Sequence, residues 1–300
     1  MIQTTEKLGT SAAAIEHIYD VGNEFFELFL GSSMTMSSAL WHPFDSLESA
    51  QIRQMDYHIA QSRAKGAKRV LDIGCGWGTL LKRLVNEYEV EQAIGITLSP
   101  SQVDWIRQFN HAQIEVRHED WLDHVPDAPY DAIVAVEMVD HCAKTGLSSS
   151  EKITAYRTFF ERCHEWLNPG GCLSIQLSTY GSMLPDEASQ IDSSILAQIE
   201  DCFPESELPF LSEIVKSVES TFEIVTMRSD REHYAQTLKA WLKLIDRNRE
   251  AAIAAVGEAA VDRYEKFFQY SLFGYLSGAT TLVRLGLRRI DHPWQWYLNQ

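Results

Sequence analysis

The chain has 300 residues, 45% hydrophobic and 23% charged, the make-up of a globular protein with ample material for a core. Its 42 acidic against 26 basic residues give a formal charge of −16, which repels nucleic-acid phosphates and anionic headgroups, so no nucleic-acid partner is expected. With no basic-then-apolar leader and no apolar run approaching about 18 residues, the expectation is a soluble, cytoplasmic protein without an integral membrane segment.

Apolar runs of strand length recur along the chain, separated by stretches with helical spacing. Strands are predicted over Arg69–Ile73, Gln92–Thr97, and residues 113–116, 131–136, 172–177, 222–227 and 280–287. Helices are predicted over residues 80–88, 101–109 and 151–167, and Asn168-Pro169-Gly170-Gly171 reads as a stop and turn. This alternation builds an α/β fold, a parallel sheet covered on both faces, with ligands beyond the carboxyl ends of the strands. Residues 1–68 read as a helical N-terminal cover, 69–179 as the core, 180–220 as an inserted helical lid, and 221–300 as the completion of the core with pocket helices and a last strand.

The most informative stretch is LDIGCGWGT, residues 71–79, where a strand ends in Gly74, Gly76 and Gly78 and a helix begins. Glycines there admit positive φ and leave no Cβ between loop and ligand, which points to a nucleotide-like cofactor, with an ordinary glycine turn between strand and helix as the structural alternative. The five cysteines show no CxxC spacing and the histidines no ligand spacing, so neither a disulfide framework nor a metal site is expected. Cys142 follows His141 directly, and adjacent residues do not form a thiol–imidazole dyad easily. A lipid surface would need a local basic patch such as Arg284, Arg288 and Arg289, and that patch is small.

The spacing D-x-G-x-G-x-G resembles that of class I methyltransferases that bind S-adenosylmethionine (SAM). Four blocks in order, IYDVGNEFFELFLGSSMTMSSALW at residues 18–41, LDIGCGWGTL at 71–80, GITLSPSQ at 95–102 and HYAQTLKAWL at 233–242, resemble the cyclopropane fatty acid synthase and mycolic acid methyltransferase family, whose relatives include coclaurine-type N-methyltransferases. The resemblance implies a Rossmann-like, seven-stranded, mostly parallel sheet and SAM as the cofactor. It places Asp72, Gly74, Gly76 and Gly78 around the methionine part, Thr97, Leu98 and Gln102 along ribose and adenine, Asp120 and Trp121 about the adenine, and Ser37 over the cofactor. A nicotinamide-binding unit carries an acid after its second strand; here that strand ends Gly95-Ile96-Thr97.

The resemblance also implies a bicarbonate ion beside the reacting carbon, held in cyclopropane synthases by a cysteine, a glutamate, a histidine and a tyrosine. The matching positions here are Ser38, Asp140, Gln176 and Tyr234, of which only the tyrosine is unchanged. Glu137 stands where those enzymes usually have glycine, and Glu137-Met138-Val139-Asp140-His141 is similar to the block of the N-methyltransferases. Glu137, Asp140, His141 and Tyr234 are therefore the expected catalytic residues, the carboxylates orienting a cation and His141 exchanging a proton near neutrality. Phe25, Ser38, Trp41 and Gln176 are expected to line the substrate pocket, with Phe25, Phe26, Trp41 and Tyr234 offering aromatic faces to a carbocation. Asp140 as a helix cap, His141 packed in a turn and Tyr234 as a core tyrosine are the structural alternatives.

Because the ion-holding positions differ and the surface is acidic, methyl transfer to nitrogen or carbon of a small or medium-sized, largely apolar or lipid-like acceptor is expected ahead of cyclopropanation of an acyl double bond. A SAM-binding protein without catalysis is the third reading. The acceptor and the oligomeric state are not written in the sequence.

Overall fold

The computed structural model describes residues 8–184, 187, 193–292 and 294. Three helices precede the first strand: α1 (Ala12–Tyr19), α2 (Asn23–Leu30) and α3 (Leu47–Gln61). There follow β1 (Arg69–Ile73), α4 (Thr79–Glu87), β2 (Gln92–Thr97), α5 (Pro100–Arg107), β3 (Ile114–His118), β4 (Tyr130–Val136), a 3₁₀ turn over Val139–Cys142, α6 (Ser149–Trp166) and β5 (Leu167–Tyr180). Beyond these lie α7 (Ser193–Cys202), α8 (Leu211–Ser217), β6 (Phe222–Ser229), α9 (Arg231–Arg247), α10 (Arg249–Val256), α11 (Glu258–Ser277) and β7 (Thr280–Arg289).

The seven strands form one sheet in the order β3-β2-β1-β4-β5-β7-β6. β1 to β5 run parallel, and β7 enters antiparallel between β5 and β6. Chain order reverses at β1, where neighbouring connections leave to opposite sides and open a crevice at the strand ends. The central strands are apolar almost throughout, as strands covered on both faces must be. Phe159, Phe160, Trp166 and Ile214 pack on one face, and Met55, Ile59, Leu81 and Leu84 on the other.

The predicted strands and helices appear with shifts at their ends, and one difference has a clear cause. The Asn168–Gly171 turn lies inside the span of β5 rather than before it. The ladder with β4 pairs Tyr130 with Leu167 and then Ala132 with Cys172, so the turn is looped out between two registers, with Gly170 at φ +77°. A strand can thus begin, yield to a turn and resume against the same neighbour.

A second, aromatic core joins α2, α9 and α11: Phe26, Phe29, Trp241, Tyr264 and Phe268 pack with ring centroids 4.7–6.2 Å apart, Trp77 closing one side. Phe25, expected at the substrate pocket, lies wholly inside this core against Phe26, Phe29 and Tyr264. Arg284 also corrects its expectation: it is 0% exposed and belongs to no surface patch. No helix among the described residues is long and apolar enough to cross a membrane, and no group of three or more potential metal ligands occurs among them.

Candidate active site

At the carboxyl ends of β1, β2 and β4 a cavity opens, lined by Ser37, Asp72, Gly74, Gly76, Thr97, Leu98, Gln102, Asp120, Trp121, Glu137 and His141, among others. The β1–α4 loop is its floor. Gly74, Gly76 and Gly78 all sit at positive φ, between +52° and +76°, a region where L side chains are strained. Gly76 lines the cavity, and a Cβ there would stand in open space. Gly78 does not line it. It caps α4 in the left-handed conformation, where a Cβ would come within 2.7 Å of Ile106. Thr97 Oγ1 donates to Gln102 Oε1 at 2.7 Å, joining the end of β2 to α5. Ser37 Oγ is buried on the cavity wall with no hydrogen-bond partner among the described residues, a polar atom that a bound ligand would satisfy. Burial pushes the Asp72 carboxyl up to about 7.

Glu137 follows β4 directly and is a non-glycine residue at φ +50°, a conformation that costs about 1–3 kcal/mol and persists only where its surroundings hold it. Here three donors do so. Ser38 N–H and Gln176 Nε2 donate to Oε1 at 2.9 and 2.7 Å, and Tyr234 Oη donates to Oε2 at 2.6 Å. Gln176 reaches this point through sheet register, paired with Val136 on one side and Arg284 on the other. Its carbonyl also accepts the Glu137 N–H at 2.7 Å. Tyr234 arrives on the first turn of α9. Burial raises the Glu137 carboxyl to about 7; the three donors oppose that rise and the neighbouring Asp140 adds to it.

Asp140 lies in the 3₁₀ turn, pushed up to about 7 by burial, with Oδ1 buried and unpartnered among the described residues. His141 lines the cavity, but burial pushes it down to about 4, so it is neutral at pH 7 and poorly matched to proton exchange there. Its Nδ1 lies 3.4 Å from Thr10 Oγ1 and 3.3 Å from Ser206 Oγ. Ser38 acts through its backbone: its hydroxyl donates to Ala39 O at 3.3 Å. Trp41 is outside the cavity lining, as are Ser38, Asp140, Gln176 and Tyr234; its Nε1 donates to Thr237 Oγ1 at 3.0 Å and its N–H to His233 Nδ1 at 2.8 Å.

Five residues at the site were not read as site residues from the sequence. Tyr19 lines the cavity and lies near the start of the aromatic-rich block at residues 18–41. Tyr275 stacks at 4.6 Å on Tyr234, with its hydroxyl 2.5 Å from Ser178 Oγ. His58, Asp230 and Arg284 stand behind Gln176. Only Arg284 carried a signal, a charge inside an apolar strand between Val283 and Leu285.

The sheet order, the glycine loop at the crevice and the cavity define a class I SAM-dependent methyltransferase fold. The model of the mycolic acid cyclopropane synthetase family matches residues 6–285, and the chain belongs to that family. It is 29% identical over 306 residues to cyclopropane mycolic acid synthase 3 of Mycobacterium tuberculosis, covering 97% of each chain. It is also 29% identical over 288 residues to the S-adenosylmethionine-dependent methyltransferase UmaA of Mycobacterium tuberculosis, covering 92% of this chain and 94% of that one. Among solved structures, mycolic acid cyclopropane synthase CmaA1 complexed with SAH and CTAB superposes with a TM-score of 0.83 at 26% identity, covering 94% of this chain and 100% of the other. Coclaurine N-methyltransferase bound to N-methylheliamine and SAH shares the fold, with a TM-score of 0.76 at 20% identity over 94% and 84% of the two chains. The chain is thus a SAM-dependent enzyme of this family. The relatives favour methylene addition over transfer to a small nitrogen or carbon acceptor, reversing the order expected from the sequence.

Proposed function

We propose that the enzyme converts a carbon–carbon double bond of a lipid-like acyl chain into a cyclopropane, with the Glu137 carboxylate as the base. SAM would be held by Asp72, Gly74 and Gly76, by Thr97, Leu98 and Gln102, and by Asp120, Trp121 and Ser37; it supplies an electrophilic methyl carbon on a sulfonium. The observation that carries the reading is the three-donor cradle around Glu137. Altered residues at the family's ion-holding positions argued against ring closure in the sequence. Three of those positions, Ser38, Gln176 and Tyr234, instead surround a carboxylate that the chain provides itself.

Bound SAM would supply its methyl carbon to the alkene, whose π electrons would form the new bond while the sulfur keeps the old bonding pair, and the residues of this chain would then have to accommodate a carbocation on the acyl chain. The Tyr234 ring, tied to Glu137 through its hydroxyl, is the aromatic face offered to that carbocation. A C–H bond of the transferred methyl then supplies the pair that closes the ring, and its proton passes to Glu137. A carboxyl raised to about 7 is a stronger base than an ordinary one and releases that proton near neutral pH.

A second reading, methylation of an amine, is favoured by Asp140, whose buried and unpartnered oxygen suits a cationic acceptor. Trideuteromethyl-labelled SAM with a monounsaturated phospholipid separates the two. Ring closure retains two of the three deuterons in a product with no new methyl signal. A product keeping all three deuterons as a methyl group contradicts the proposal.

A further inference from the structure

Behind the Glu137 cradle stands a buried ion pair. Arg284 is fully buried, and its Nη1 is paired with Asp230. Its Nε donates to Gln176 Oε1 at 2.7 Å, and its Nη2 donates to the carbonyls of Ser38 and Ala39 at 3.0 and 3.2 Å. His58 Nε2 lies 3.2 Å from the same Gln176 oxygen, while His58 Nδ1 lies 2.8 Å from Ser174 Oγ. Burial pushes His58 down to about 3, so the ring is neutral and carries one N–H. Donation from Nε2 to Gln176 leaves Nδ1 to accept the Ser174 hydroxyl.

A glutamine side chain presents an oxygen on one edge and an NH₂ on the other, and a half turn exchanges them. Two donors on Oε1 therefore decide that the NH₂ faces Glu137. The same guanidinium anchors Ser38, whose N–H is the second donor. Asp230 starts the helix that brings the third, its carbonyl accepting the Tyr234 N–H at 3.3 Å. All three donors converge on one charge pair. A buried ion pair rarely stabilises a fold beyond what apolar residues of similar volume supply, so this pair calls for a role in the site.

We propose that Arg284, held by Asp230, is a positioning residue that turns the donor edge of Gln176 and the Ser38 N–H onto Glu137 and so keeps its carboxylate in place as the base. The proposal rests on the reading of Glu137 given above. The titratable groups that act on Glu137 are Asp140 from the 3₁₀ turn, Tyr19 from α1, Tyr234 from α9, Tyr275 from α11 and Arg284 from β7, while His58 from α3 reaches it only through Gln176. Loss of hydrogen bonds to the ionised carboxylate moves its titration upward.

Arg284→Lys keeps a cation beside Asp230 but not the planar fork. Arg284→Met with Asp230→Asn removes both charges of the buried pair, leaving Arg228, the other partner of Asp230, to the solvent it already reaches, and decides the matter if the lysine variant does not fold. Glutamate-¹³C NMR of the cofactor-free protein, with the Glu137 signal assigned through Glu137→Gln, follows the titration directly. Expected is a Glu137 titration about one pH unit above wild type, with kcat down about tenfold, the weight of one hydrogen bond to a charged group, and an unchanged Kd for SAM. A folded variant with a wild-type titration and pH–kcat profile overturns the proposal. If Glu137→Gln itself retains full turnover, the base reading falls, while the titration still judges the positioning.

Discussion

At the cofactor end of the cavity, one short stretch from Asp72 to Gly78 supplies the floor, and it works through backbone: three glycines at positive φ and a helix start. At the acceptor end, the groups around Glu137 come from residues 38, 176, 234 and 284, and they work through side-chain and backbone hydrogen bonds converging from distant strands and a helix. The first end is local and holds its glycines at positive φ, where L side chains are strained. The second is assembled by topology and is tuned residue by residue, which is how a family keeps one cofactor while its chemistry diverges.

The largest effect that would break this contrast lies in the loop. Gly76→Val puts a β-branched residue at φ +52° with its side chain in the open space beside the floor. Loss of measurable SAM binding in calorimetry is the expected result, with the melting temperature lowered by the strain of a non-glycine residue at this φ but the protein still folded.

Tyr234→Phe removes one of the three donors to Glu137. It should lower kcat by about 10- to 100-fold, the range for a hydrogen bond to a charged group, and leave the Kd for SAM unchanged. Equal losses in both would place Tyr234 in the framework.

The pH response should sharpen the comparison. Asp72, Glu137 and Asp140 are each raised to about 7 by burial, so they hold protons at pH 6 that they have lost at pH 8. Affinity for the sulfonium cofactor should rise across that interval by up to about tenfold. Stability of the cofactor-free protein should move the other way. Folded pKa values above the unfolded ones mean that the native state binds more protons, so stability falls as pH rises from the ordinary carboxylate range to about 7. Calorimetry and melting curves at stepped pH check both signs. The smallest effect is expected at His141, already neutral at pH 7: His141→Asn should change kcat less than about threefold and leave the pH profile in place.

The sheet and the glycine loop were legible because both are local. Period-two and apolar runs mark strands, and alternating glycines mark a tight turn before a helix. Residues 137, 140 and 234 could be proposed only because separated blocks resembled a family. What joins them was not legible. Phe25 on an amphipathic helix gives no sign of whether it faces a pocket or other rings, and it faces rings. Ser38 was read as a side chain and serves through its N–H. Arg284 was read as surface charge, although an arginine between apolar neighbours on a strand bordered on both sides must be buried with a partner. His58 sits on a helix with no motif, and only the fold brings it to Gln176.

The central claim is that the carboxylate of Glu137, not its bulk, does the chemistry at the acceptor end. Glu137→Gln keeps the shape, and the most direct test is its turnover of SAM on a monounsaturated acyl lipid beside its Kd for SAM. The account predicts a kcat reduced about 10²- to 10⁴-fold, the weight of a positioned general base, with the Kd within about twofold of wild type at pH 8. Turnover near the wild-type rate, with the wild-type pH profile, would contradict it.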